Sequence, residues 1–155
     1  MQTMAIDKLH NGYWLSHRLL GSKAKVVYGS VYAIPATIGP VEISVLGCIL
    51  LHLRDPFLAL ESASKLTTEA ITVAEPFNEH NPKGMYLNFL PDPSTSEPKV
   101  TWWEIRPEWV IRALGVLGFG NTEVTYHTQR NRDQFRKLYT IVGKRKCAKA
   151  LTGAA

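Results

Sequence analysis

The sequence predicts an α/β fold with a partly parallel sheet and an antiparallel edge, and three stretches carry that prediction. The first is VEISVLGCILLHLRDP, from Val41 to Pro56, in which an apolar run with β-branched Ile43 and Val45 passes through Gly47 and Cys48 and ends on Asp55-Pro56. Such a run reads as a strand buried on both faces, as in parallel sheets. Small residues at its exit let a ligand or another backbone come close. Pro56 fits the first turn of a following helix, with Asp55 as its N-cap. The second stretch is AITVAEPF (70–77), another buried strand reached after a helical segment. The third is the pair NTEVTYHTQ (121–129) and KLYTIVGKR (137–145), two alternating segments around the polar turn RNRDQFR, which reads as an antiparallel hairpin. Ligands of open α/β sheets bind outside the carboxyl ends of the strands, so the corner within Val41–Pro56 is where a site is expected.

Length and composition set the frame. A chain of 155 residues fits one domain, and 45% apolar with 20% charged residues is the balance of an ordinary globular protein. No apolar run reaches the roughly 18–20 residues of a bilayer-spanning helix. No basic-apolar-small leader opens the sequence, so a cytoplasmic protein without membrane contact is expected. Cys48 and Cys147 lie in the buried strand and the basic tail, an arrangement that predicts neither a disulfide nor a zinc site. From Arg130 onward there are eight Lys/Arg against a single acid, Asp133, while the rest of the chain carries a slight excess of acids. Such an end attracts polyanions or serves as a solvated face.

Taken in order, residues 1–8 read as a lead-in. HNGYWLSHRLLGS (10–22) reads as a helix, with Trp14, Leu15 and Leu19 on one face, Asn11 at its start and Gly21 at its end. Lys25–Tyr28 is a short predicted strand before a turn at Gly29-Ser30, and Ile38-Gly39-Pro40 turns into the central strand. PFLALESASKLT (56–67) has its apolar residues at helical spacing. Residues 78–101 contain Pro82, Pro91, Pro93 and Pro98, with Pro76 just before them, and form a long excursion of the kind that serves as a lid or binding loop or stays disordered. TWWEIRPEWVIRALGVLGFG (101–120) starts a helix near Pro107, with Gly118 and Gly120 ending it. The order is α-β-β-α-β-excursion-α-β-β. One domain over 1–145 and a basic flexible tail over 146–155 are expected.

The run GSVYAIP…VEISVLGCILLHLRDPFLALESASKLTTEAITVAEPF…WWEIRPEWVIRALGVLGF resembles class I S-adenosylmethionine-dependent methyltransferases, most closely the branch of tRNA wobble-uridine carboxymethyl-transferring enzymes. LLHLRDP is the specific part of the likeness, which covers residues from about 11 to 145; the LGF ending is less so. The resemblance implies a truncated Rossmann-like sheet of about five strands, entering at the family's second helix and ending in its terminal hairpin. The family's first strand, the glycine-rich loop after it, and the second strand with its ribose-binding acid have no counterpart here. The glycine cluster Gly115, Gly118 and Gly120 follows a helix, whereas a nucleotide loop must precede one. Ser30 and Ala33 stand where the family commonly has acids, and Glu42 stands where the central strand usually has Asp. The isolated chain is therefore expected to bind no cofactor, with S-adenosylmethionine entering only if a partner completes the site. In that event Ser30, Val31 and Gly47 would line it.

Several residues stand at the implied mouth. His52 could act as base or orient a substrate, since imidazole titrates near neutrality, or it could be structural. Arg54 could clamp an anion. Glu75 ends the second strand, where it either meets substrate or caps a loop. Trp102, Trp103 and Arg106 follow the excursion, in the segment that faces the acceptor in the family. Paired tryptophans with an arginine can stack a nucleobase, or else plug the core. No HExxH, CxxC pair or calcium loop is present, so no metal is expected, and no nucleophile elbow occurs.

A central strand without its family neighbour would expose an apolar edge. Either the Lys25–Tyr28 strand closes against it, or two chains pair through it. A homo-oligomer is the favoured outcome. Three functions follow: a methyltransferase-derived interaction module without autonomous S-adenosylmethionine binding, a methyltransferase acting on RNA or a small molecule that needs a partner chain for its cofactor half, or an RNA-binding accessory protein using the basic hairpin and tail with Trp102 and Trp103.

Overall fold

Asp55 and Pro56 set the corner about which the chain turns. The computed structural model describes residues 2–94, 100–131 and 134–146. In chain order it runs through helix α1 (Gln2–Leu19), strand β1 (Val41–Gly47), helix α2 (Pro56–Ser64), strands β2 (Thr67–Pro76), β3 (Leu87–Phe89) and β4 (Trp103–Ile105), helix α3 (Pro107–Val116), and strands β5 (Asn121–Asn131) and β6 (Gln134–Lys144), with 3-10 turns at Ala36–Ile38 and Leu50–His52. Asp55 is the N-cap of α2: its side chain accepts the Leu58 N–H at 2.9 Å, and Pro56 opens the helix.

Four strands form the main sheet in the order β1-β2-β6-β5. β1 and β2 are parallel, with Ile43 beside Ala70 and Gly47 beside Ala74. β6 runs antiparallel to β2, setting Tyr139 beside Glu75 and Leu138 beside Pro76. β5 and β6 are the hairpin read from the sequence. The sequence pattern places α2 and α3 on one face, because Leu46, Ile71, Val73, Tyr139 and Ile141 alternate toward Leu60, Ala63, Val110 and Leu114 in a single buried cluster.

The helix ends are built as their glycines require. At the end of α3 the Phe119 N–H reaches the Leu114 carbonyl at 2.8 Å and the Gly118 N–H the Gly115 carbonyl at 3.3 Å, with Gly118 at φ 91°. This pattern of paired bonds needs a left-handed residue, which glycine supplies without steric cost. At Gly143 a Cβ would come within 3.0 Å of Leu114 Cδ1 and 3.1 Å of the Phe119 carbonyl oxygen, so a bare backbone there lets α3 approach β6. Arg145 closes the same corner: its guanidinium donates to the Ser64 and Thr67 carbonyls and lies 4.4 Å from the Phe119 ring centroid. It satisfies a carbonyl at the end of α2 and is structural in that position.

Several expectations are corrected. Lys25–Tyr28 forms no strand; the main sheet has four strands, and β3 and β4 make a second, two-stranded sheet. The Lys25–Tyr28 segment instead packs on α1, where Trp14 Nε1 donates to the Tyr28 hydroxyl at 3.2 Å and His17 bonds to the Ala24 carbonyl. An isolated strand has unpaired N–H and C=O groups, and this one found no neighbour. β1 is consequently the edge strand and is not buried on both faces: Ile43 is 57% and Val45 70% exposed. α1 begins well before Asn11, which lies inside the helix rather than at its cap. The excursion carries β3, which pairs antiparallel with β4 from Leu87–Ile105 to Phe89–Trp103. Apart from Lys146, the tail over 146–155 lies outside the described residues, as does Cys147. No helix among the described residues is long and apolar enough to cross a membrane.

Replacing Asp55 by Ala removes the one side-chain cap of α2 and should lower stability by about 1 kcal/mol. A thermal melt is the check; an unchanged melting temperature would mean that Pro56 and packing alone set the helix start.

Candidate functional site

The carboxyl ends of β1 and β2 point the same way, and the excursion folds over them. Glu75, on the helix-facing side of β2, is 1% exposed. Its Oε1 accepts the Leu50 N–H at 2.8 Å, and its Oε2 has no hydrogen-bond partner among the described residues. Burial raises the Glu75 carboxyl to about 7, against the pull of the Leu50, Leu51 and Ile49 N–H groups. Tyr139 is buried beside it, donating its hydroxyl to the Ile105 carbonyl at 3.1 Å, and burial likewise pushes its phenol upward.

The Leu50–His52 turn carries the far side of the site. The Leu51 carbonyl accepts the Trp102 N–H at 2.8 Å, and the Trp102 carbonyl accepts the Leu90 N–H at 2.9 Å. Trp103 Nε1 donates to the Leu53 carbonyl at 2.9 Å, which fixes the indole plane. His52 Nδ1 lies 2.6 Å from the Val100 carbonyl. A carbonyl only accepts, so Nδ1 carries a proton there. The Arg54 guanidinium sits 5.1 Å from the Trp102 ring centroid, and Phe89 lies against Trp103 at 5.1 Å.

Two compartments open between these parts. An inner one of about 270 Å3 is lined by Leu51, Glu75, Pro76, Leu90, Thr101, Trp103, Glu104, Ile105 and Arg136. An outer one of about 470 Å3 is lined by Cys48, Leu51, His52, Pro76, Thr101, Gln129, Arg130, Arg136 and Leu138. Cys48 has φ 50°, a left-handed backbone that a side chain makes costly, so the strained residue of the corner is Cys48 and not Gly47. Burial and the neighbouring Glu75 hold its thiol up, while Arg136 pulls the other way. No group of three or more His, Cys, Asp or Glu among the described residues is placed to hold a metal.

The residues named from sequence are distributed as follows. His52, Glu75 and Trp103 line the compartments. Trp102 and Arg54 stack on each other. Arg106 lies apart: it is 3% exposed, donates to the Asn78 carbonyl at 3.0 Å, sits over Phe77 and faces Glu108, so its charge is spent inside the protein. Val31 faces the free edge of β1 with Ile34 and Ile38, Ser30 lies beside Val31 and Val27, and Gly47 ends β1. Sequence reasoning missed Thr101, Gln129 and Arg136 as lining residues. The signal for Gln129 and Arg136 was the hairpin register, which pairs them and returns the start of β6 to the carboxyl end of β2; Thr101 precedes β4 and had no such signal.

No protein-family model matches the sequence, and no curated protein matches it. Solved structures share the fold. The N-terminal domain of EvdMO1 with SAH bound is 16% identical with a TM-score of 0.62, covering 89% of this chain and 60% of that one. Magnesium protoporphyrin IX methyltransferase (ChlM) from Synechocystis PCC 6803 with bound SAM is 9% identical with a TM-score of 0.52, covering 86% of this chain and 52% of that one. The chain thus has the fold of S-adenosylmethionine-dependent methyltransferases and spans about 60% of the length of the first of these neighbours.

Glu75 imposes a pH dependence with a definite sign. Its carboxyl goes from 4.5 to about 7 on folding, so the stability it carries is fully present below about pH 4.5 and is lost as pH rises through 7. The full loss is about 3 kcal/mol. Glu75→Gln cannot titrate, so its melting temperature relative to the parent should grow more positive between pH 5 and pH 8. An offset independent of pH would show that this carboxyl titrates as an ordinary exposed one.

Proposed function

We propose that this chain is a methyltransferase-fold interaction module that does not hold S-adenosylmethionine by itself, and that two copies meet along the free edge of β1. The edge carries the reading. From Ile43 to Gly47 the strand runs without proline or charge, Ile43 and Val45 are exposed, and an apolar cleft of about 330 Å3 lies beside them, lined also by Val31, Ile34 and Ile38. Natural edge strands are normally blunted by charge, proline or a cover, and a regular apolar edge pairs readily with another chain. Isologous pairing of two β1 strands satisfies both edges at once. The donor side of the reading rests on the glycines: the Gly115–Gly120 cluster ends α3, and among the described residues no glycine-rich turn joins a strand to a following helix.

A second reading is favoured by coverage. The SAH- and SAM-bound neighbours are longer than the part this chain matches. In this reading a further segment supplies the donor half, and the carboxyl ends of β1 and β2 form the acceptor side. The likeness of LLHLRDP to the tRNA wobble-uridine branch would then make RNA the acceptor and the cytoplasm its place. The basic residues of the hairpin give that acceptor limited support. They divide between Arg130, Arg136 and Lys137 at one end and Lys144, Arg145 and Lys146 at the other, an 11-residue strand apart, and Arg145 is already engaged with carbonyls.

Calorimetry with S-adenosylmethionine and S-adenosylhomocysteine, run beside sedimentation, tests the first reading. No heat should appear at millimolar ligand, and the mass should be twice 17.4 kDa. Ile43→Lys with Val45→Lys should return it to a monomer without loss of helix signal. Donor binding to a monomeric parent would overturn the proposal.

A further inference from the structure

The inner and outer compartments share Leu51, Pro76, Thr101 and Arg136, so they form one trough. We propose that this trough binds a nucleoside monophosphate, with its base in the inner compartment against Glu75 and Trp103 and its phosphate in the outer one at Arg136. The inference is independent of the β1 edge, on which neither Glu75 nor Arg136 lies.

Three observations converge on that class of ligand. Glu75 is buried, with one carboxylate oxygen satisfied by the Leu50 N–H and the other without a partner among the described residues. Buried polar atoms are nearly always paired, so an unpaired carboxyl oxygen on a residue that lines a cavity calls for a hydrogen-bonding group from the occupant, a donor where Glu75 is ionised. The ionised carboxylate suits an N–H such as an exocyclic amine or a ring imide. One part of the inner lining is apolar: Leu51, Leu90 and Ile105 stand there with the Trp103 indole, which is held at Nε1 by the Leu53 carbonyl and backed by Phe89, beside the polar Thr101, Glu104 and Arg136. A planar ring with a donor edge fits such a platform, because every base has a face to stack. The outer compartment has the opposite character. It is lined by Arg136, Arg130, His52 and Gln129, with no carboxylate among its lining residues. Arginine is the side chain whose fork matches a phosphate. A ligand that is flat and donor-bearing at one end and anionic at the other satisfies all three. The two compartments together fall in the range of small-molecule sites, about 300–1,000 Å3.

Titration calorimetry of the full chain with AMP, CMP, GMP and UMP, with the matching nucleosides and with inorganic phosphate, tests this. At least one monophosphate should bind about tenfold more tightly than its nucleoside, the increment of a charge-assisted contact. Arg136→Ala, at an exposed position, should remove most of that increment, lowering the monophosphate affinity far more than that of the nucleoside. Glu75→Gln should weaken monophosphate and nucleoside alike by about tenfold, the value of one hydrogen bond to a charged acceptor. Circular dichroism of both variants checks that they fold. Absence of binding by all four monophosphates at millimolar concentration would overturn the proposal. So would binding that inorganic phosphate displaces fully and Glu75→Gln leaves untouched, since that describes an anion site without a base pocket.

Discussion

A single buried carboxylate holds the working end of this fold together. Glu75 ends β2 and grips the N–H of Leu50 in the turn that follows β1. That turn then carries the excursion: Leu51 bonds to Trp102, Leu53 to the Trp103 indole, and His52 to Val100. A strand end, a 3-10 turn and the far limb of the excursion are thus linked in series through one side chain. The arrangement is expensive, because an ionised carboxylate is poorly solvated there, and the chain meets that cost by raising the proton affinity of Glu75 instead of surrounding it with cations. Arg106, the nearest buried guanidinium in this region, is turned toward Asn78, Phe77 and Glu108.

The parts of this fold legible in the sequence are those set by local chemistry. Asp55-Pro56 specifies a helix start regardless of its surroundings, and the alternation of Asn121–Gln129 and Lys137–Arg145 specifies two strands facing each other. The Gly118 helix stop follows from its left-handed backbone. The parts that did not read correctly are those that depend on a neighbour. Lys25–Tyr28 has the residues of a strand, yet a strand exists only when another pairs with it. Leu87–Phe89 is too short to announce itself and is a strand only because Trp103–Ile105 lies opposite. Arg106 read as a substrate-facing residue and Arg145 as part of the basic end, and both are engaged by backbone carbonyls. Their side-chain length, not their charge, decides their role. Glu75 was visible as a residue at the mouth, but its orphan oxygen is a property of the turn packed against it.

The open side of the sheet follows from the same dependence. One face is filled by α2 and α3, whereas Ile43 and Val45 on the other remain exposed, and α1 keeps Leu15 and Leu19 exposed as well. In an α/β fold with helices on both faces these positions are core. Here they retain core chemistry in an edge position. Gly47 makes the point at atomic scale: a Cβ added there meets nothing within 4 Å, so its small size answers no crowding inside this chain. The residue types of β1 suit a strand with a neighbour on each side.

The edge and the trough meet at one corner. Cys48 leaves β1 with φ 50° and donates its N–H to the Ala74 carbonyl at 2.7 Å, while Leu50, two residues on, is held by Glu75. Any strand laid along β1 ends its ladder where that left-handed residue begins. Cys48 and Leu50 thus tie the exit of β1 to the end of β2. Among the described residues only β2 holds β1, through a parallel ladder on one side, so the strained corner rests on half of the support that an interior strand would give it.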